Sequence, residues 1–300
     1  MRVNDFLDGN LVKRLNIGKG GADVYEINET YILKHATRRN LSSEAFDSYL
    51  KEAKFYKFMS DKGSKYIPKV LELIIDDDEL IILMMKYDNL RKDFLNEEVI
   101  QKITGRLAEI HLESVPDFIK CRKTAQSELS DEKIIECTNG WITVLNEHPG
   151  CFDSILVERI TDKINQIIEW HKSDNNTLIH GDFHLDNLLI DSHDNILICD
   201  WQGVKVGEPS SDLSFFVSRL NADGVDIDQD FFLQSYVNSF QKLSGEEISI
   251  ENISKHISAA NVITSFIFWH QFLHNNSVDR VSDIFNKMIE DYYLLFPEDR

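Results

Sequence analysis

The sequence predicts a two-lobed α+β fold, a small sheet with one main helix followed by a larger and mostly helical region. Three observations carry that prediction. Through residue 85 the apolar residues fall in short runs of strand length, bounded by Gly, Asn and Asp; beyond residue 90 their spacing turns to the helical period. No repeat, low-complexity tract or Pro/Gly-rich linker divides the 300 residues, and five prolines are spread along them. That length buries a full core without disulfides.

Residues 11–35 read as three strands, Leu11–Ile17, Ala22–Ile27 and Thr30–His35, with glycines in the first turn and Asn28 and Glu29 in the second. From Ser43 the apolar residues Phe46, Tyr49, Leu50, Ala53 and Phe58 recur at helical spacing, and the run stops near Gly63. Val70–Ile75 and Leu80–Met85 are strand-like, joined by an acidic turn at 76–79. This predicts an N-terminal lobe over 1–85, a connector at 86–89 and a helical lobe over 90–300. Glu97–Leu112, Asp131–Asn146 and Asp153–His171 are helical; Thr177–Ile179, Leu188–Ile190 and Ile196–Cys199 are strands; the tail from Gln229 to Leu295 is helical and rich in aromatics.

Charge narrows the function classes. With 32 basic and 51 acidic side chains the formal charge is −19, which excludes a phosphate-gripping nucleic-acid binder and suits a cationic small molecule. The N-terminus has neither the apolar core nor the cleavage site of a signal peptide. His256–Val278 carries no Asp, Glu, Lys or Arg, but its Asn and Gln residues are costly in lipid, so a buried helix is expected and not a membrane span. Cys121, Cys137, Cys151 and Cys199 lie far apart with no CxxC spacing. That predicts a reducing, cytoplasmic setting with no zinc framework.

The chemistry concentrates between Thr177 and Gly203. Two strand-like runs bracket a loop holding Asp182 and Asn187, and Asp200 ends the next strand. Mg²⁺ takes oxygen ligands from few protein groups, and Asn187 with Asp200 supplies them. Asp182 then stands apart to accept the proton of an attacking hydroxyl. His180 and His184 also allow a zinc-hydrolase reading, but a second upstream histidine set is lacking.

His180-Gly-Asp182-Phe-His-Leu-Asp-Asn187 resembles the HxDxxxxN loop of aminoglycoside phosphotransferases and choline-kinase-like enzymes, small-molecule relatives of protein kinases. Asp200 stands where that family has its metal-binding Asp, although Trp201 and Gln202 depart from DFG. The resemblance implies a protein-kinase-like fold, Mg²⁺, ATP or GTP as donor, and transfer to a hydroxyl of a small acceptor. It implies a phosphate-binding lysine on the third strand, Lys34, braced by Glu52, with Glu44 as the other candidate. Gly18, Gly20 and Gly21 resemble the nucleotide-positioning loop. Met84, Met85, Lys86 and Tyr87 would offer backbone groups to the adenine edge. His180 is expected to orient the loop, and Asp212 to cap a helix and brace the loop. His111 is assigned to packing.

The acceptor is expected to be cationic, aminoglycoside-like first and choline or another metabolite next, lying near residues 113–175 and 225–300. Acidic residues there, Asp226, Asp228, Asp230, Glu246, Glu247, Glu290, Asp291 and Glu298, are candidates to attract it. A kinase-shaped module that binds nucleotide without turnover stays open. A protein kinase is disfavoured, since no APE-like segment follows Asp200. Oligomeric state is not legible.

Overall fold

A computed structural model describes residues 2–15, 21–119, 129–171 and 177–300. Its chain forms two compact units: Met1–Lys120, Thr177–Val206 and Phe215–Gly245 make the first, and Cys121–Asn176, Gly207–Ser214 and Glu246–Arg300 the second. The strands around the Asp182 loop thus group with the N-terminal sheet, a different division from the lobes expected at 85–90.

The first unit opens with α1 (Val3–Leu7), a short helix that the periodicity did not announce. Then follow β1 (Val12–Leu15), β2 (Asp23–Ile27), β3 (Tyr31–Thr37), α2 (Ser43–Asp61), β4 (Val70–Ile75) and β5 (Glu79–Met85). The strands pair antiparallel in the order β1-β2-β3-β5-β4. Asn28 and Glu29 both take positive φ, 50° and 57°, in the three-residue turn that joins Ile27 to its register partner Tyr31, where the Thr30 N–H donates to the Ile27 carbonyl at 3.1 Å. Register then puts Lys34 on β3 opposite Val24 and Ile82. Helix α2 starts where the Ser42 hydroxyl accepts the Ala45 N–H at 3.2 Å. Its buried stripe is Phe46, Tyr49, Glu52, Ala53, Phe55, Tyr56 and Met59. Fully burying each of the large apolar members is worth roughly 1.5–3 kcal/mol. Glu52 is the one charged residue in that stripe.

Further on, β6 (Asp88–Asn89) lies in the connector, and α3 (Glu97–His111) is capped by Asn96, whose side chain accepts the Val99 N–H. Helices α4 (Asp131–Asn146) and α5 (Ile155–His171) belong to the second unit. The first resumes with β7 (Thr177–Ile179), β8 (Leu188–Ile190), β9 (Ile196–Ile198) and β10 (Lys205–Gly207). β6, β8 and β9 form an antiparallel three-stranded sheet, so the connector is tied to the strand that leaves the Asp182 loop. Helix α6 (Pro209–Ala222) runs from one unit into the other, and α7 (Gln229–Ser244) packs on α3 within the first.

The second unit is completed by α8 (Ile250–Thr264), a π-helical turn at Ser265–Trp269, α9 (His270–Leu273) and α10 (Val278–Leu295). Its core joins Trp141, Ile160, Ile164, Phe266, Phe285 and Tyr292. The charge-free stretch is not one buried helix. It passes through the π turn, stops at Leu273 and exposes Phe268 and Phe272 at 54% and 69%. The wider turn lets the Phe266 carbonyl accept the Trp141 indole N–H at 3.1 Å. Gly140 lies where an added Cβ would stand 2.2 Å from His270 Nδ1, so that helix pair closes only over a glycine. Among the described residues no helix is long and apolar enough to cross a membrane.

Candidate active site

Lys34 is the centre of the cluster. Its Nζ donates to Glu52 Oε1 at 2.7 Å and to Asp200 Oδ1 at 3.1 Å, joining β3, α2 and the segment after β9. Glu52 is wholly buried, so the helix residue eighteen positions on is the partner, and Glu44 stands in the first turn of α2. Burial alone would lower the Lys34 ammonium, but the Glu52 and Asp200 carboxylates outweigh it and hold the group well above its ordinary value. Burial pushes Glu52 up, against the pull of Lys34. Lys34 is therefore a fixed cation throughout the physiological range.

The 180–187 loop is built on His180, fully buried against Trp201 with ring centroids 4.6 Å apart. The Asp182 N–H donates to its Nδ1 at 3.3 Å; Nε2 then carries the proton and donates to the Cys199 carbonyl at 3.0 Å. With both ring nitrogens engaged, His180 is no zinc ligand, which removes the hydrolase alternative. Asn187 is buried and its Nδ2 donates to the Asp182 carbonyl at 2.9 Å and toward His184 Nε2 at 3.2 Å. The side chain of Asp182 itself is 46% exposed, free to meet a substrate. His184 Nε2 stands 3.6 Å from its Oδ2, long for a hydrogen bond. That neighbour first, then His180 and Asn187, holds the Asp182 carboxyl below its usual range despite desolvation.

Asp200 sits in the left-handed region at φ 63°, a costly conformation for a non-glycine residue. Its N–H donates to Tyr56 Oη at 3.3 Å, and Lys34 and Gln202 Nε2 (2.9 Å) both donate to Oδ1. This leaves Oδ2 outside these bonds, as the Asn187 bonds leave Oδ1. Two such oxygens, one charged and one neutral, suit a hard divalent cation with its remaining positions filled by water and phosphate. Asn187 and Asp200 therefore fit Mg²⁺. The neighbouring Cys199 thiol is pushed up to about 12 by burial and stays protonated.

Sequence reasoning missed four supports of this arrangement: Tyr56, Trp201, Gly181 and Gly203. Gly181 has φ +78°, and an added Cβ would stand 2.3 Å from the Gly203 carbonyl oxygen; one on Gly203 would stand 2.9 Å from that of His180. The loop and the Asp200 segment thus touch backbone to backbone. The only sequence signal was glycine at the two matching places, one residue after His180 and three after Asp200.

Other expected site residues fall into three groups. Gly18 and Gly20 lie outside the described residues. Gly21 has φ +84° and is packed so that an added Cβ would stand 2.8 Å from Leu41 Cδ2. In the connector, Met84 is buried in β5, the Met85 N–H donates to the Lys69 carbonyl and the Lys86 N–H to that of Thr30. Those two donors are spent, which leaves the Tyr87 N–H outside these bonds. Lys86 also pairs with Glu26 at 3.1 Å. Asp212 is buried within the first turn of α6 and not at its cap. His111 is a packing residue, its Nδ1 2.7 Å from Tyr236 Oη.

A sheet-bound lysine, a helix glutamate, and an Asp/Asn loop facing a second Asp define the protein-kinase-like fold. The sequence matches the model of the phosphotransferase enzyme family, APH, over residues 13–247, most of the chain, and the protein belongs to that family. It is an enzyme of the small-molecule kinase class. A search of curated proteins returned no match. Among solved structures it is similar to ADP-bound aminoglycoside phosphotransferase APH(2'')-Ib at TM-score 0.60 and 17% identity, covering 98% of this chain and 97% of that one. Spectinomycin phosphotransferase APH(9)-Ia, with ADP and spectinomycin, gives 0.58 and 16%, over 94% and 92%. The ethanolamine kinase of Plasmodium vivax gives 0.56 and 12%, over 93% and 82%. At such identities the likeness shows the fold.

Proposed function

We propose that this enzyme moves the γ-phosphate of ATP or GTP to a hydroxyl of a small, amine-bearing acceptor, aminoglycoside-like in the first instance. The observation that carries the proposal is Lys34 held between Glu52 and Asp200, beside a loop whose Asp182 is exposed and ionised. Lys34 engages the α- and β-phosphates as a fixed charge. Asn187 and Asp200 hold Mg²⁺, which when bound neutralises charge on the transferring phosphates. Asp182 accepts a hydrogen bond from the acceptor hydroxyl, aligns it, and takes its proton. Its lowered pKa is compatible with that role, because a loose phosphoryl-transfer transition state needs little nucleophile activation before the bond to the leaving oxygen breaks.

The acceptor reading rests on charge and on likeness. A chain of formal charge −19 favours amine-bearing molecules over anions. Similar folds belong to proteins seen with streptomycin and ATP, with gentamicin, and with spectinomycin. The similarity to an ethanolamine kinase supports a second reading, a small amino-alcohol metabolite. A Mg-nucleotide turnover assay with ATP and GTP, across aminoglycosides, ethanolamine, choline and a neutral polyol, decides between them. Asp182→Asn is expected to lower kcat by roughly 10²–10⁴ on whichever acceptor is used; equal activity in both proteins would falsify the base assignment. If the acidic field steers a polycationic acceptor, kcat/KM falls with added salt for it and not for the polyol.

A further inference from the structure

We propose that the first unit carries a second anion site, a cavity of 430 Å³ bounded by the end of α2, residues 64–70, α3 and the β8–β9 turn, that takes a phosphorylated small molecule. In a chain with 51 acidic and 32 basic side chains, this cavity is lined by Lys65, Lys69 and Arg106, with the hydroxyl residues Ser60 and Ser64 beside them. Its one lining carboxylate, Asp191, stays ionised, held low by the Asn195 side chain, but is turned onto its own turn: Oδ1 accepts the N–H groups of His193 and Asn195 at 2.8 and 2.9 Å, and Oδ2 accepts Asn195 Nδ2 at 2.9 Å, so the lining keeps a positive balance. Lys65 and Lys69 have no ion-pair partner among the described residues. Arg106 is held in place, its Nε donating to the Ile196 carbonyl at 3.1 Å and its Nη1 to Glu109 at 2.6 Å, which leaves Nη2 outside both bonds.

Two ammonium groups and the Nη2 of Arg106, whose charge Glu109 partly offsets, line this half-open cleft, and phosphate is the matching chemistry. The volume falls in the range of small-ligand sites. Ile67, Pro68 and Leu197 supply an apolar wall for the body of such a molecule.

The cavity wall is also stitched to the candidate active site. The Lys69 carbonyl accepts the Met85 N–H at 2.9 Å at the start of the connector. Tyr66, between the two lysines, accepts the Ile198 N–H at 2.7 Å, two residues before Asp200. A ligand that draws Lys65 and Lys69 together therefore acts on the backbone that presents both the connector and Asp200, and its occupancy changes the apparent affinity for nucleotide.

The test uses pyrophosphate as probe. Calorimetry measures its binding to the parent enzyme, to Lys65→Gln/Lys69→Gln and to Lys34→Met/Glu52→Gln. The last removes the active-site cation without leaving a buried unpaired carboxylate and is used once its urea transition shows it folded. Both cavity lysines are exposed, so the double variant Lys65→Gln/Lys69→Gln folds. Loss of two charge-assisted contacts weakens the cavity site about tenfold or more. Saturable binding that survives Lys34→Met/Glu52→Gln and is weakened in the double variant supports the site. Affinity unchanged in the double variant, or no saturable binding in folded Lys34→Met/Glu52→Gln, overturns it. In parallel, the nucleotide KM should shift with pyrophosphate in the parent by a component that the double variant lacks. Equal shifts in both would mean simple competition at the Lys34 cluster and would overturn the coupling. The calorimetric arm needs no turnover, so its outcome is separable from the proposed phosphotransfer.

Discussion

Two buried carboxylates, one in each unit, were treated differently by the fold. Glu52 in α2 is 0% exposed and meets an ammonium at 2.7 Å. Asp291 in α10 is 3% exposed, with no cation at ion-pair distance among the described residues, and burial pushes its carboxyl up to about 6. Desolvation penalises both charges. In the first unit Lys34 offsets part of that penalty, burial still pushing Glu52 up, and the pair is kept as a polar element at the point where β3, α2 and Asp200 converge. In the second, the carboxyl moves toward its neutral form and packs within a helical core. Asp291 is therefore not offered at the surface of the acidic tail, and the Asp228 side chain caps α7, accepting the Phe231 N–H at 3.0 Å.

Breaking the first arrangement should have the largest effect. Lys34→Met leaves Glu52 buried without its cation, a loss of about 3 kcal/mol or more in stability, and nucleotide turnover falls to background. Adding Glu52→Gln to it is expected to recover much of the unfolding free energy in urea titrations, but no turnover. A double variant as unstable as the single one would mean that Glu52 costs nothing when unpaired.

Asp291→Asn probes the second arrangement. A folded-state value of about 6 above an unfolded one near 4 means stability is fullest below pH ~4 and is lost as pH rises through the folded value. Removing the titration is expected to raise stability at pH 7 by about 1–2 kcal/mol and to flatten the dependence of Tm on pH between about 4 and 6. An unchanged Tm profile would contradict the assignment.

A smaller effect is expected at His184. Replacing it with Ala removes the first cause of the lowered Asp182 value, so the acidic limb of kcat/KM moves to higher pH while the plateau keeps its shape. A limb that stays where it was would place its origin in another group. The smallest effect belongs to exposed pairs. Lys57 and Asp61 lie 3.1 Å apart with side chains 62% and 66% exposed, and Lys57→Ala should change stability by less than about 0.5 kcal/mol, readable as an almost unmoved urea midpoint.

Much of this was legible along the chain, and the reason differs by element. β4, α4, β7 and β8 have the bounds expected from local pattern, because their apolar spacing and flanking caps act within a few residues. α1 is a five-residue helix without a full apolar period, β10 is Lys-Val-Gly with a single apolar residue and becomes a strand only by pairing with β7, and β6 has two residues whose pairing comes from β8. The charge-free stretch reads as one buried helix in sequence, since composition reports the absence of charge and not which face is covered.

Sequence by itself determined the chemical inventory and its order: Lys34, Glu52, Asp182, Asn187 and Asp200 at separations that resemble a phosphotransferase. Spacing of this kind is set by strands and turns of fixed length, so it survives in a linear text. Tertiary structure alone decided that Lys34 touches both Glu52 and Asp200 across 18 and 166 residues, that Gly181 and Gly203 meet backbone to backbone, and that two connector donors are already used. These are long-range encounters, decided by how packed elements converge and which backbone groups find partners there, and no local pattern encodes them.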